Sequence, residues 1–211
     1  FGTLYNTYSF FALYANIDGF TGREKEIPVE ERPEIDRWIL SELNSLIRDV
    51  TASLEDYDPT PAARRIDQFV DENLSNWYVR LNRKRFWGGE LTTDKLAAYQ
   101  TLYTCLETVV MLAAPIAPFI TDRIFCDLNA ISGRHTESSV HLAEYPTCNA
   151  ALIDSQLETM MSLAQRASSM VLALRRKVNI KVRQPLQKII IPVLDKAMAA
   201  HIEKVRALIM G

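Results

Sequence analysis

Four cations and a tryptophan crowd the end of one apolar run. Arg80, Arg83, Lys84 and Arg85 precede Trp87 with no acid among them. Cations spaced along a helix can contact successive phosphates, and an indole can stack on an unpaired base, so this set suits a nucleic-acid surface. At helical spacing Leu74, Trp77, Tyr78 and Leu81 share the inner side, which puts Arg80 at the rim and Arg83 well outside. Lys84 and Arg85 then fall at the helix end. A structural reading is also open here, because cations in a last turn complement the helix dipole by about 0.3–1 kcal/mol each. Asn76 and Arg80 are expected to be partly structural on either reading.

A second basic group follows later: Arg175, Arg176 and Lys177, then Lys181 and Arg183. Arg176 and Lys177 point away from the Val171/Leu174 stripe of their helix. Lys181 and Arg183 alternate with Ile180 and Val182, so an extended connection would put both cations on one face. The net charge of −2 hides the contrast behind these groups. Residues 1–60 hold five Lys/Arg against twelve Asp/Glu, whereas residues 159–194 hold seven basic residues and no acid. Such separation of sign fits a surface that meets a polyanion on one side; a solvated helix face is the plainer alternative.

Other chemistry is hard to build from this chain. No Gly-rich loop with Lys and Ser/Thr occurs, so no phosphate-cradling loop is expected. Cys105, Cys126 and Cys148 are too widely spaced for a structural zinc site and odd in number for a disulfide framework, which fits reduced, buried thiols. His135, His141 and His201 show no helical pairing for a metal. No catalytic constellation of Ser, His, Asp or Cys emerges from spacing. The apolar stretch 109–120 carries two prolines and falls short of the roughly 20 residues a membrane span needs, so no membrane contact is expected. Phe1 opens straight into an amphipathic stretch, without the basic segment and apolar run of a targeting signal, and the chain reads as a piece of a longer protein.

The elements that must position these groups are mostly helices. Residues 1–16 read as the tail of a buried helix and 17–32 as a loop. A helix from Pro33 carries Ile35, Ile39, Leu43, Leu46, Val50 and Leu54 on one stripe. Asp58 or Thr60 caps the next, which spans residues 62–87 and ends at Gly88-Gly89. A fourth starts near Thr93 or Asp94, and Pro115 and Pro118 kink or stop it. A short segment over 119–128 and a polar loop over 129–149 follow, then a fifth long helix over 152–178. Residues 186–191 are β-branched and read as a short strand closed by Pro192, with a helix from Asp195 to Met210 behind it. The expected fold is mainly α: an antiparallel helical bundle over residues 1–184, with a short strand–helix appendage over 185–211 that begins a small, truncated α/β subdomain.

Taken in order, these segments resemble the anticodon-binding region of class I aminoacyl-tRNA synthetases of the isoleucine, valine and leucine group. Asn73-Leu-Ser-Asn-Trp-Tyr-Val-Arg-Leu-Asn-Arg-Lys-Arg-Phe-Trp87 is similar to that group's third-helix signature. Leu112-Ala-Ala-Pro-Ile-Ala-Pro-Phe-Ile-Thr121 resembles its Leu-x-x-Pro-x-x-Pro-Phe element. Ser139-Val-His-Leu-Ala-Glu-Tyr-Pro146 resembles its Ser-Val-His loop, and Asp36-Arg-Trp38 the Asp-x-Trp that opens the second helix. Leu4-Tyr-Asn-Thr-Tyr-Ser-Phe-Phe11, with Asn16-Ile-Asp-Gly-Phe20, points to the isoleucine branch.

The resemblance implies a parent enzyme that activates isoleucine with ATP and Mg²⁺ and esterifies tRNA(Ile) in the cytoplasm. Its activation signatures, His-Ile-Gly-His and Lys-Met-Ser-Lys-Ser, are absent, so catalytic residues and cofactors are expected in other domains of the same synthetase. For this piece it implies a grip on the anticodon stem and loop. Arg80, Arg83, Lys84, Arg85, Arg175, Arg176, Lys177, Lys181 and Arg183 would supply phosphate contacts, with Trp87 as stacking partner. A sister synthetase for valine or leucine is the nearest alternative, and a non-enzymatic helical protein-interaction module with a basic face the more distant one.

Overall fold

Helix signals in the sequence become helices in the structure, a computed structural model that describes residues 1–210, apart from the side chains of Ala197, Ala207 and Met210. Helix α1 (Gly2–Asp18) ends at Gly19, whose φ of 69° gives the left-handed turn that closes helices. It buries Leu4, Thr7, Phe11 and Ala15 while Phe1, Tyr5, Leu13 and Ile17 stay exposed. It is therefore buried on one face only. Helix α2 (Glu34–Glu55) starts after Pro33 and buries Trp38, Ile39, Leu43, Leu46, Ile47 and Val50, with Ile35 and Leu54 half-covered at its ends.

Between Pro59 and Phe86 the backbone is helical without a break but not uniform. Helix α3 (Pro59–Gln68) is capped by Asp58, whose carboxylate accepts from the Thr60 amide at 3.2 Å. Phe69–Val79 winds with i→i+5 bonds, and helix α4 (Arg80–Phe86) completes the rod. The wider turn takes more residues than the 3.6 of an α-helix. The inner stripe consequently runs through Phe69, Val70, Leu74, Tyr78, Val79, Asn82 and Phe86. Trp77 is only half-buried and Leu81 lies exposed, although regular α spacing had placed both inside.

Helix α5 (Thr93–Ala113) is capped by Thr92, whose hydroxyl accepts from the Lys95 amide. It touches α1, α2, α3, α4 and helix α6 (Pro118–Ser132). Contact on all sides explains why it is apolar around its girth. Its length and composition would suit a membrane span, yet most of that stretch is buried within the protein. Aromatic rings fill the space beneath the end of α4. Phe86 meets Phe10 and Tyr99 edge-on at 5.4 and 5.0 Å, and Phe20 stacks on Tyr99 at 5.0 Å.

Two compact units result, one over Phe1–Ile153 and the other from Asp154 on. The second begins with helix α7 (Ser155–Lys177), capped by Asp154, and adds helices α8 (Lys196–Lys204) and α9 (Arg206–Met210), both packed on α7. The strand expected over residues 186–191 does not form; no strand occurs among the described residues. A lone β-branched run has no neighbour for its ladder hydrogen bonds, and residues 181–190 are exposed throughout.

Candidate nucleic-acid interface

The first basic group lies along α4 and at its end, within the first unit. Phe86 is fully buried, so it anchors the helix end; the next residue, Trp87, turns extended and is 53% exposed. Gly88 and Gly89 follow with φ of 73° and 70°, a left-handed pair that only glycine adopts without strain. Arg80, Arg83 and Lys84 are exposed, and their side chains make no hydrogen bond or ion pair with other described residues. An exposed, unengaged cation keeps its charge for an outside anion. Three such cations beside an exposed indole form a surface able to hold phosphate and stack a base.

Arg85 is different. Its side chain is 14% exposed, and its guanidinium grips both oxygens of the wholly buried Asp36 at 2.7 and 2.8 Å. It also donates to Asn82 Oδ1 at 3.0 Å, to the Asp94 carboxylate at 2.9 Å and to the Asp94 carbonyl at 2.7 Å. Burial works against the guanidinium charge, but the bonds and charge of Asp36 outweigh it and push the pKa up. Tyr78 donates to Asp36 at 2.7 Å, and burial together with that carboxylate raises the phenol well above its ordinary value. The absence of a neighbouring acid in the sequence was misleading, since Asp36 is 49 residues away along the chain. Its guanidinium is taken up inside the protein.

Beside this clamp lies another. Lys95 is 3% exposed and reaches the Asp18 carboxylate at 2.5 Å and the Gly88 carbonyl at 3.2 Å. Tyr99 donates to the same carboxylate. Burial would raise the Asp18 pKa, yet the bonds from Lys95 and Tyr99 and the Lys95 charge leave it below its ordinary value. In the sequence Lys95 carries no expectation, Asp18 enters only within the Asn16–Phe20 motif, and Asp94 only as a possible helix start. One signal was available: a lysine in a helix's first turn opposes the dipole and calls for a partner.

The second basic group belongs to the second unit. Arg176, Lys177, Lys181 and Arg183 are exposed at and beyond the end of α7. Arg175 instead donates to the carbonyls of Lys181 and Gln184 at 2.9 and 2.8 Å, closing the loop back on the helix. The connection is a turn, with the Gln184 amide bonded to the Lys181 carbonyl at 3.0 Å, so strand alternation does not place Lys181 and Arg183. Asn179 takes φ 56° at the turn's start. Leu174, expected on the inner stripe with Val171, is 63% exposed; burial on α7 stops at Ala167.

The remaining polar clusters are engaged within the fold. His135 bonds Glu107 at 3.1 Å, and its backbone is bracketed by Asn129. Cys105 is buried, which pushes its thiol up, while Cys126 and Cys148 are half-buried. Among the described residues no group of three or more His, Cys, Asp or Glu could hold a metal ion.

Residues 36–190 match the profile of the family described as the anticodon-binding domain of tRNA ligase. The whole chain is 65% identical to an isoleucine–tRNA ligase of Bacteroides fragilis, of which it covers 18%. Identity to the isoleucine–tRNA ligase of Cytophaga hutchinsonii is 60% over 99% of the chain and 19% of that protein. With that of Dehalococcoides mccartyi it is 50% over 88% of the chain and 18% of that protein. The chain thus spans under a fifth of the length of these relatives, and by the match along most of its length it belongs to the anticodon-binding domain family of tRNA ligases.

Proposed function

We propose that this chain is the part of an isoleucine–tRNA ligase that grips the anticodon stem and loop of tRNA(Ile). The observation that carries the reading is the end of α4. Arg80, Arg83 and Lys84 stand exposed and unengaged beside a half-exposed Trp87, in a chain of the anticodon-binding family. The isoleucine relatives favour isoleucine over the valine and leucine alternatives. The cations hold phosphates and set register, and Trp87 offers a face to a splayed loop base. Arg176, Lys177, Lys181 and Arg183 supply further phosphate contacts from the second unit. Arg85 and Arg175, whose guanidinium groups are bonded internally, shape the two surfaces from within. The binding body on this reading is residues 1–184, with residues 185–211 opening a further subdomain.

Isoleucine activation with ATP and Mg²⁺, and its transfer to tRNA in the cytoplasm, then belong to other domains of the same protein. The donor set here does not fit ATP or Mg²⁺: no phosphate-cradling loop is present and no carboxylate cluster converges among the described residues. The test is a binding titration of the intact protein against tRNA(Ile) and tRNA(Val) transcripts. Tighter binding of tRNA(Ile) is expected. Equal binding would contradict the isoleucine assignment, and no binding of either would favour a protein-interaction module.

A further inference from the structure

Lys95 occupies a place that helix electrostatics disfavours. It stands in the first turn of α5, where the dipole repels a cation, and its side chain is almost wholly buried. Burying an ammonium is costly unless it is paired, and replacing a buried pair by apolar side chains often leaves stability unchanged or raises it. Stability alone is therefore a poor reason for this lysine. What it does that an apolar side chain could not is hold a carbonyl. Its ammonium joins Asp18, the last residue of α1, to the Gly88 carbonyl in the turn after α4.

That turn has little else to aim it. Gly88 and Gly89 are both left-handed, and a Cβ on either would meet nothing within 4 Å. The residue before it is Trp87, extended and half-exposed. On Trp87's other side, Arg85 is held by Asp94, the neighbour of Lys95 in the same helical turn. Two consecutive residues of α5 thus hold the chain on either side of the tryptophan.

We propose that Lys95 is a positioning residue for RNA recognition, fixing through the Gly88 carbonyl the direction in which Trp87 leaves the bundle. The proposal rests on the reading that Trp87 and its neighbouring cations meet tRNA. Lys95 itself touches no RNA. Its effect passes through the turn, so removing the lysine and removing the indole should cost the same interaction.

The test is a double-mutant cycle in the intact protein, with Kd for a tRNA(Ile) transcript as readout. Trp87→Ala is expected to weaken binding about tenfold, in the range of one lost base stack. Lys95→Met should weaken it at least threefold, and the double variant no more than Trp87→Ala alone. Asp18→Asn added to Lys95→Met removes the carboxylate left unpaired; it should restore the melting temperature and leave affinity low. Additive losses, or affinity recovering together with stability, would show a merely structural lysine and overturn the proposal. If Trp87→Ala has no effect while Arg83→Glu still weakens binding, the tRNA reading stands and the positioning role falls. If the unmodified protein does not bind tRNA(Ile), both fall.

Discussion

At the scale of single residues, the same side-chain type serves two ends within six positions. Arg80 and Arg83 keep their guanidinium groups exposed, whereas Arg85 hands its own to Asp36 and Asp94. The difference was invisible in sequence because nothing in the run 80–87 announces a carboxylate that arrives from α2. Asp36 was legible as part of a family-like motif, but its partner was not. Once Asp36 is buried, its charge tolerates the interior only through Arg85 and Tyr78. Replacing Arg85 by Met should destabilise the chain by about 3–5 kcal/mol, the usual cost of stranding one member of a buried pair. Urea unfolding measures this. A loss under about 1 kcal/mol would mean Asp36 finds water or another donor.

At the scale of elements, helix ends were legible in part: Asp58 was one of two expected caps and α5 starts near Thr93 as expected, whereas α6 runs to Ser132 rather than 128 and α7 starts at Ser155 rather than 152. Asp58, Thr92 and Asp154 cap their helices, and Gly19 and Gly133 end theirs in left-handed geometry. The i→i+5 winding of Phe69–Val79 carries no such mark, with neither proline nor glycine inside it, so the inner stripe was misassigned at Trp77 and Leu81. The 186–191 run failed for another reason: β-propensity describes fit to a sheet, and no described neighbour offers one. The Gly88 turn permits a clean test of backbone conformation. A Cβ at Gly88 meets no atom within 4 Å, so Gly88→Ala should cost about 1–2 kcal/mol from the left-handed φ alone. Thermal or urea unfolding of that variant would read it, and an unchanged midpoint would mean that the turn flips at no cost.

At the scale of the molecule, a weakly acidic chain carries two groups of exposed cations, one in each compact unit. The bundle class was legible from helical periodicity, and the charge contrast from counting. The link to tRNA came from motif order and from the family match, because no single residue pattern here distinguishes an RNA surface from a solvated helix end. Physics does distinguish them, since phosphate contacts release counterions and a solvated helix end does not. The central claim is therefore tested most directly by the salt dependence of tRNA(Ile) binding in the intact protein and in its Arg80→Gln, Arg83→Gln, Lys84→Gln variant. The account predicts that the slope of log K against log salt becomes shallower by about two units, at roughly 0.7–0.9 per phosphate contact removed. An identical slope in both proteins would contradict it.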